Sequence, residues 1–211
     1  MVASELVFRR GTLPEATYTF KHAMVQEAAY GTLLKSRRQH IHARIAGALK
    51  ERFPQTVAVQ PEVLARHLTE AGETERAIPY WREAGQHAAE RSAFKEATAH
   101  LDKGLEFVTR LADSTERDRQ ELGLRLALGS VLTAMKGPAA AEVGQTYSRA
   151  RELCHEGGAH AELFTATWNL WHFHAHGPGS QMEKARRLAD ELLTIAEQWS
   201  DPEFLCSGPQ L

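Results

Sequence analysis

The segment His172-Phe-His174-Ala-His176, with His155 and His160 nearby, is where imidazoles crowd most closely in this sequence, as they do around metals. On a helix, residues four apart share a face, so His172 and His176 can converge while His174 points elsewhere. A catalytic zinc needs three protein ligands and usually a carboxylate to act on its bound water. No His-Glu-x-x-His or related spacing supplies them here. The expectation is a helix end whose imidazoles face solvent or complement the C-terminal dipole, with no metal and no cofactor. The second chemically capable stretch is Lys35-Ser-Arg37-Arg38-Gln-His40-Ile-His42-Ala-Arg44. At helical spacing Arg37, Arg38, His42 and Arg44 fall opposite or beside an Ile41/Ile45 stripe. That makes them either a solvated face or candidate partner-binding residues for an acidic protein surface. No Ser/His/Asp or Cys/His order exceeds coincidence, so no catalytic residue is assigned.

The framework that must carry these residues is set by composition. Of 211 residues, 43% are hydrophobic and 25% charged, which excludes disorder, collagen and a membrane-spanning chain. The net charge of −2 is unevenly spread. Residues 1–53 hold nine Lys/Arg against four Asp/Glu, net +5, and residues 54–211 hold sixteen against twenty-three, net −7. A basic head on an acidic body can dock onto something acidic. The two cysteines, Cys154 and Cys206, fit free thiols in a reducing compartment. The N-terminus lacks the apolar core of a secretory signal, and no run approaches the ~20 apolar residues of a membrane helix. These features predict a cytoplasmic protein with no membrane partner.

Leu6–Arg10 and Ala16–Phe20 are rich in β-branched and aromatic residues and flank Gly11 and Pro14, which predicts a two-stranded hairpin. A lone hairpin is marginal in water, so it must pack on something. Helical spacing begins at His22 and runs to about Leu34. Ser36 is expected to cap a second helix that Pro54 stops. A third helix opens at Pro61 and closes at Gly72, and Thr74 is expected to cap a fourth ending near Arg91. Further helices are predicted over 93–111, 115–136, 140–157, 160–176 and 181–199, joined by short links that force antiparallel neighbours. The tail Ser207–Leu211 reads as a frayed end or the start of a further helix.

Residues 81–104 carry a repeat-like pattern. Small Ala84, Gly85, Ala88 and Ala97 allow two helices to approach, while Trp81, Phe94 and Leu101 fill the adjoining space. This is the tetratricopeptide pattern, a helical pair that needs a neighbouring pair to cover it. Val143, Tyr147 and Ala150, and then Ala185, Ala189 and Leu192, repeat the logic loosely. Phe164, Trp168, Trp171 and Phe173 are expected to form a buried aromatic stripe, and Cys154 a small buried hydrophobe. The predicted fold is all-α: a tetratricopeptide-like α-solenoid of antiparallel helix pairs with a small N-terminal β-hairpin. Residues 1–53 form the head and 54–211 the repeats.

Tyr18-Thr-Phe-Lys-His-Ala-Met-Val-Gln-Glu-Ala-Ala-Tyr-Gly-Thr-Leu-Leu34, followed by Ser36-Arg-Arg-Gln-His-Ile-His-Ala-Arg-Ile-Ala46, resembles a segment of bacterial STAND-type predicted ATPases. These are often fused to class III adenylate/guanylate cyclase domains. The similarity continues through Leu64–Gly72, Ala77–Trp81, Leu124–Gly129 and Ala150–Cys154. It implies that residues 1–53 are a winged-helix remnant and that an ATPase domain stands upstream. The chain is then a fragment, and the solenoid a sensor arm. No Gly-x4-Gly-Lys-Ser/Thr is present to cradle phosphates, so the family's enzymatic residues have no counterpart here. The expected function is a non-catalytic protein-interaction segment, bound to a neighbouring ATPase domain or to a peptide in the solenoid groove. The alternatives are part of a cyclase or ATPase whose catalytic domains lie elsewhere, and a DNA-binding regulator using the hairpin and the basic helix. Nucleic acid is disfavoured because the chain as a whole is not basic.

Overall fold

A computed structural model describes residues 6–12, 16–157, 160–177 and 181–199. Strand β1 (Val7–Arg10) pairs antiparallel with β2 (Thr17–Phe20), placing Val7 opposite Phe20 and Arg10 opposite Thr17. Ten helices follow among the described residues: α1 (Ala23–Gly31), α2 (Lys35–Arg52), α3 (Pro54–Val59), α4 (Pro61–Ala71), α5 (Thr74–Glu90), α6 (Phe94–Val108), α7 (Thr115–Lys136), α8 (Ala141–Gly157), α9 (His160–His176) and α10 (Met182–Trp199). The protein is therefore mostly helical, with one small antiparallel hairpin. Pro14 of the expected turn, Cys206 and the tail from Ser207 lie outside the described residues. Among those that are described, no helix is long and apolar enough to cross a membrane.

Local chemistry explains most boundaries. Pro61 starts α4, where its missing N–H costs nothing, and Gly72 ends it at φ +83°, a left-handed turn that suits glycine. The Ser114 side chain accepts a hydrogen bond from the Arg117 N–H at 3.1 Å, capping α7, and Glu116 and Asp118 face its positive end. Two expected caps fail, and one helix is unexpected. Ser36 is not the cap of α2, whose N-cap is Leu34 without a side-chain bond. Thr74 is already helical, behind Glu73. Pro54 ends α2 but also opens α3, because proline at a first-turn position starts a helix as readily as it stops one.

Each helix packs chiefly on its neighbours in sequence: α4 on α5, α5 on α6, and so on to α9 on α10, with α2 on α4 and α5 also touching α7. A glycine in one helix receives a large side chain from the next. A Cβ on Gly85 would lie 2.5 Å from Leu101 Cγ, on Gly104 2.7 Å from Leu124, on Gly129 2.5 Å from Tyr147 and on Gly144 2.6 Å from Phe173. These separations are below any real contact, so glycine is what lets α5 through α9 approach this closely. Trp81, Ala84, Ala88, Ala97 and Leu101 are buried as expected, Gly85 lies under Leu101, and Phe94 is half-buried against the same core. Val143, Tyr147, Ala150 and Cys154 continue it.

Candidate functional site

Helix α2 carries the basic cluster, and its two edges do different work. Arg37 and Arg44, seven residues apart and so on one face, are exposed. None of Arg37, Arg38 and Arg44 makes an ion pair among the described residues. Arg38 is half-buried, with its guanidinium 5.2 Å from the centroid of the Tyr30 ring. The expected Ile41/Ile45 stripe is only partly the packed face, with Ile41 half-buried. Ala46 is buried and Leu49 joins the core, whereas Ile45 is exposed.

His42 faces inward and is engaged within the chain. Its Nε2 lies 3.0 Å from the Tyr30 hydroxyl on α1, and its Nδ1 lies 2.8 Å from His67 Nδ1 on α4. A neutral His42 protonated on Nδ1 accepts from Tyr30 and donates to His67, satisfying both contacts. Burial, and then the neighbouring His42, hold the His67 pKa below its ordinary value, while Glu70 opposes them. The trio pins α1, α2 and α4 together. Beside it a cleft of about 340 Å³ is lined by Lys35, Arg38, Gln39, Thr69, Glu70 and Gly72.

The hairpin and α1 bury almost nothing. No residue of α1 is buried. Phe8 and Tyr18 are each 58% exposed, Leu34 77% and Met24 81%, which is far from the burial expected of such large apolar side chains. The expected packing of the hairpin onto following helices is therefore slight: β2 touches α1, and Lys21 lies over the Phe8 ring at 4.9 Å. The head thus leaves apolar Phe8, Tyr18, Met24 and Leu34 and cationic Arg37 and Arg44 exposed, with Phe8 and Tyr18 on opposite faces of the hairpin.

An uncharacterized protein of Rhizobium meliloti (strain 1021) is 27% identical to this chain over 156 residues. The match covers 73% of this chain and 15% of that protein, so the chain spans about a seventh of its relative's length. No protein-family model matches, and no solved structure is significantly similar.

Elsewhere the chemistry is structural. His172 and His176 share a face as expected, with rings stacked at 5.4 Å between centroids. The side chain of His155 lies outside the described residues, and no group of three His, Cys, Asp or Glu able to hold a metal occurs among those described. The aromatic stripe departs from expectation. Trp168 is 45% exposed and stacks between Phe164 and Trp171, while Ala166, Thr167 and Leu170 are the buried face of α9. Phe164, Trp171 and Phe173 are half-buried, Phe173 against Gly144 of α8, so it is Trp168 that is displaced to the exposed flank. Cys154 is buried, and burial and then Glu162 push its thiol up to about 11.

Two features were not picked out from the sequence. Glu121, buried in α7, accepts from Arg149 of α8 through Nε and Nη2, at 3.1 and 3.2 Å, and from Arg125 at 3.2 Å. Burial alone would raise its pKa, but the two arginines together hold it below the usual carboxylate value and keep it charged. The other is Gly123, which faces the Arg82 side chain of α5. A glycine in the middle of a helix costs stability and so signals close approach, and that signal was available at Gly123 and Gly144.

Proposed function

We propose that this chain is a non-catalytic interaction segment of a larger signalling protein, in which the N-terminal head docks onto an acidic domain surface. The observation that carries it is the uncovered combination of Phe8, Tyr18, Met24 and Leu34 with the unpaired Arg37 and Arg44. Large apolar side chains left this exposed are candidates for interaction surface, and arginine is enriched at interfaces. The succession of helices α5 to α9, each glycine receiving the next helix's large side chain, supports a tetratricopeptide-like stack of antiparallel pairs behind the head. The STAND-type resemblance supplies the identity of the acidic partner, an upstream P-loop ATPase domain, and the longer relative agrees with a segment of a larger protein. A cytoplasmic setting fits the same parent.

The test is binding in trans to that upstream domain. The wild-type chain binds with affinity that falls as salt rises, because exposed charges are screened over ~8–10 Å at ordinary ionic strength. The variant Arg37→Glu/Arg38→Glu/Arg44→Glu loses binding and keeps its helix content. Tight binding to duplex DNA, with none to the upstream domain, would replace the docking function with nucleic-acid recognition.

A further inference from the structure

We infer that Tyr30, His42 and His67 form a proton-operated latch, which holds α1 and the hairpin beside it against α2 and α4 and releases them when both imidazoles are charged. The latch adds regulation to the head and rests on the docking reading above for its use, while the motion itself belongs to the isolated chain.

Geometry carries it. The Nδ1 atoms of His42 and His67 face each other at 2.8 Å across the packed helices α2 and α4, with both rings half-buried. A gap of that length holds one proton and never two. With both rings neutral, Tyr30 donates to His42 Nε2, and His42 donates to His67. One added proton is accommodated by reversing the chain: His67 donates to His42, and His42 donates from Nε2 to the Tyr30 oxygen. A second proton sets N–H against N–H between two cations, and the contact is lost. The groups around the pair do not remove this conflict. Lys35 and Arg38 of α2 line the adjoining cleft and oppose further positive charge, whereas Glu70 of α4 favours it. Helix α3, which packs on both α2 and α4, has no titratable side chain. Helix α5 packs on α4 and meets it with Trp81, which donates to Thr69; the electrostatic neighbours of His67 are His42 and Glu70. Burial and His42 hold His67 below its ordinary value, so the latch is closed at neutral pH and opens as pH falls.

The rest of the inference is how lightly α1 is otherwise held. None of its nine residues is buried. Among the described residues, its side-chain hydrogen bonds and ring contacts to other helices run through Tyr30, to His42 and to the Arg38 guanidinium. The Arg38 contact lies on an exposed ring and is weak alone. A helix this short is not stable in water by itself, so α1 loses amide protection once Tyr30 is freed.

The experiment is hydrogen exchange of the intact chain from about pH 7.5 to about pH 4.5, corrected for the intrinsic pH dependence of exchange, with histidine NMR in parallel. Protection over residues 23–31 is expected to fall at least about ten-fold while α6 to α8 keep theirs. His42 and His67 are expected to titrate in two coupled steps, the second coinciding with that fall, and exposed His40 in one. His67→Gln keeps a bonding side chain without a charge and should leave α1 protected throughout. Tyr30→Phe should leave α1 unprotected even at the upper end of the range, with α6 to α8 unchanged, and it keeps the inference testable if the first variant fails to fold. Protection of α1 that persists after both rings are charged overturns the inference, as does the absence of a second step in the range. Loss of α1 together with α6 to α8 overturns it too, being unfolding and not release, as does a pH dependence that survives His67→Gln or an α1 that stays protected in Tyr30→Phe. Failure to bind the upstream domain refutes the docking reading and leaves these measurements standing.

Discussion

At the scale of single residues, burial and pairing decide which groups react or titrate. Cys154 is buried, with its thiol raised to about 11, so it is almost wholly protonated at neutral pH and shielded from reagents. In a Cys206→Ser background, iodoacetamide at pH 8 should leave the native chain unmodified and label it only after denaturation; rapid native labelling would contradict its place in the core. His67 and Glu121 give two separate acid limbs. The folded pKa of His67 lies below its ordinary 6.5, so the unfolded chain takes up the proton first. Its contribution to stability is full above about 6.5 and is lost as pH falls through the folded value. The folded pKa of Glu121 lies below 4.5, so its contribution is full above that and is lost in a lower window. Urea midpoints measured against pH should fall in two steps, and His67→Gln should remove the upper one only. The inward turn of His42 could not be read from the sequence. Its helical position beside Arg38 and Arg44 is equally consistent with a surface cation, and only the place of α4 brings His67 to 2.8 Å.

Among the helices, interfaces follow small residues. The long, strongly periodic helices were legible because Pro61, Gly72, Ser114 and Gly137 punctuate them. Helix α3 was not, because Pro54 carries both a stop and a start signal within six residues. The Gly85–Leu101 contact was legible from spacing, but the Trp168 flank was not. A stripe at helical period says that one face is shared and leaves open whether a neighbour covers it. Two predictions belong here. Gly85→Ala and Ala97→Leu each overpack the α5–α6 contact and should cost roughly 1–3 kcal/mol by urea denaturation; an unchanged midpoint would remove them from the interface. Ser92, at the turn between α5 and α6, has φ +59°, with its N–H bonded to Ala89 O at 2.8 Å and that of Ala93 to Ala88 O at 2.9 Å. This is a helix-terminating turn with serine where glycine is favoured. Ser92→Gly should therefore raise stability by about 1 kcal/mol, measured in the same way.

Taken whole, the molecule divides its surface by charge and by cover. The body closes its core helix upon helix and ties α8 to α10 through Arg151 and Glu191, with Nη2 2.7 Å from Oε2. The head leaves Phe8, Tyr18, Met24 and Leu34 in solvent. The proposed interaction segment would have this asymmetry. The isolated chain should accordingly hydrolyse no ATP and form no cyclic AMP after rigorous purification. Hydrogen exchange across the whole chain, with and without the upstream P-loop domain, tests the docking account most directly. The account predicts new protection over residues 6–34 and the first turns of α2, with α6 to α8 unchanged. Protection confined to α9 and α10, or none anywhere at concentrations where the two proteins bind, would contradict it.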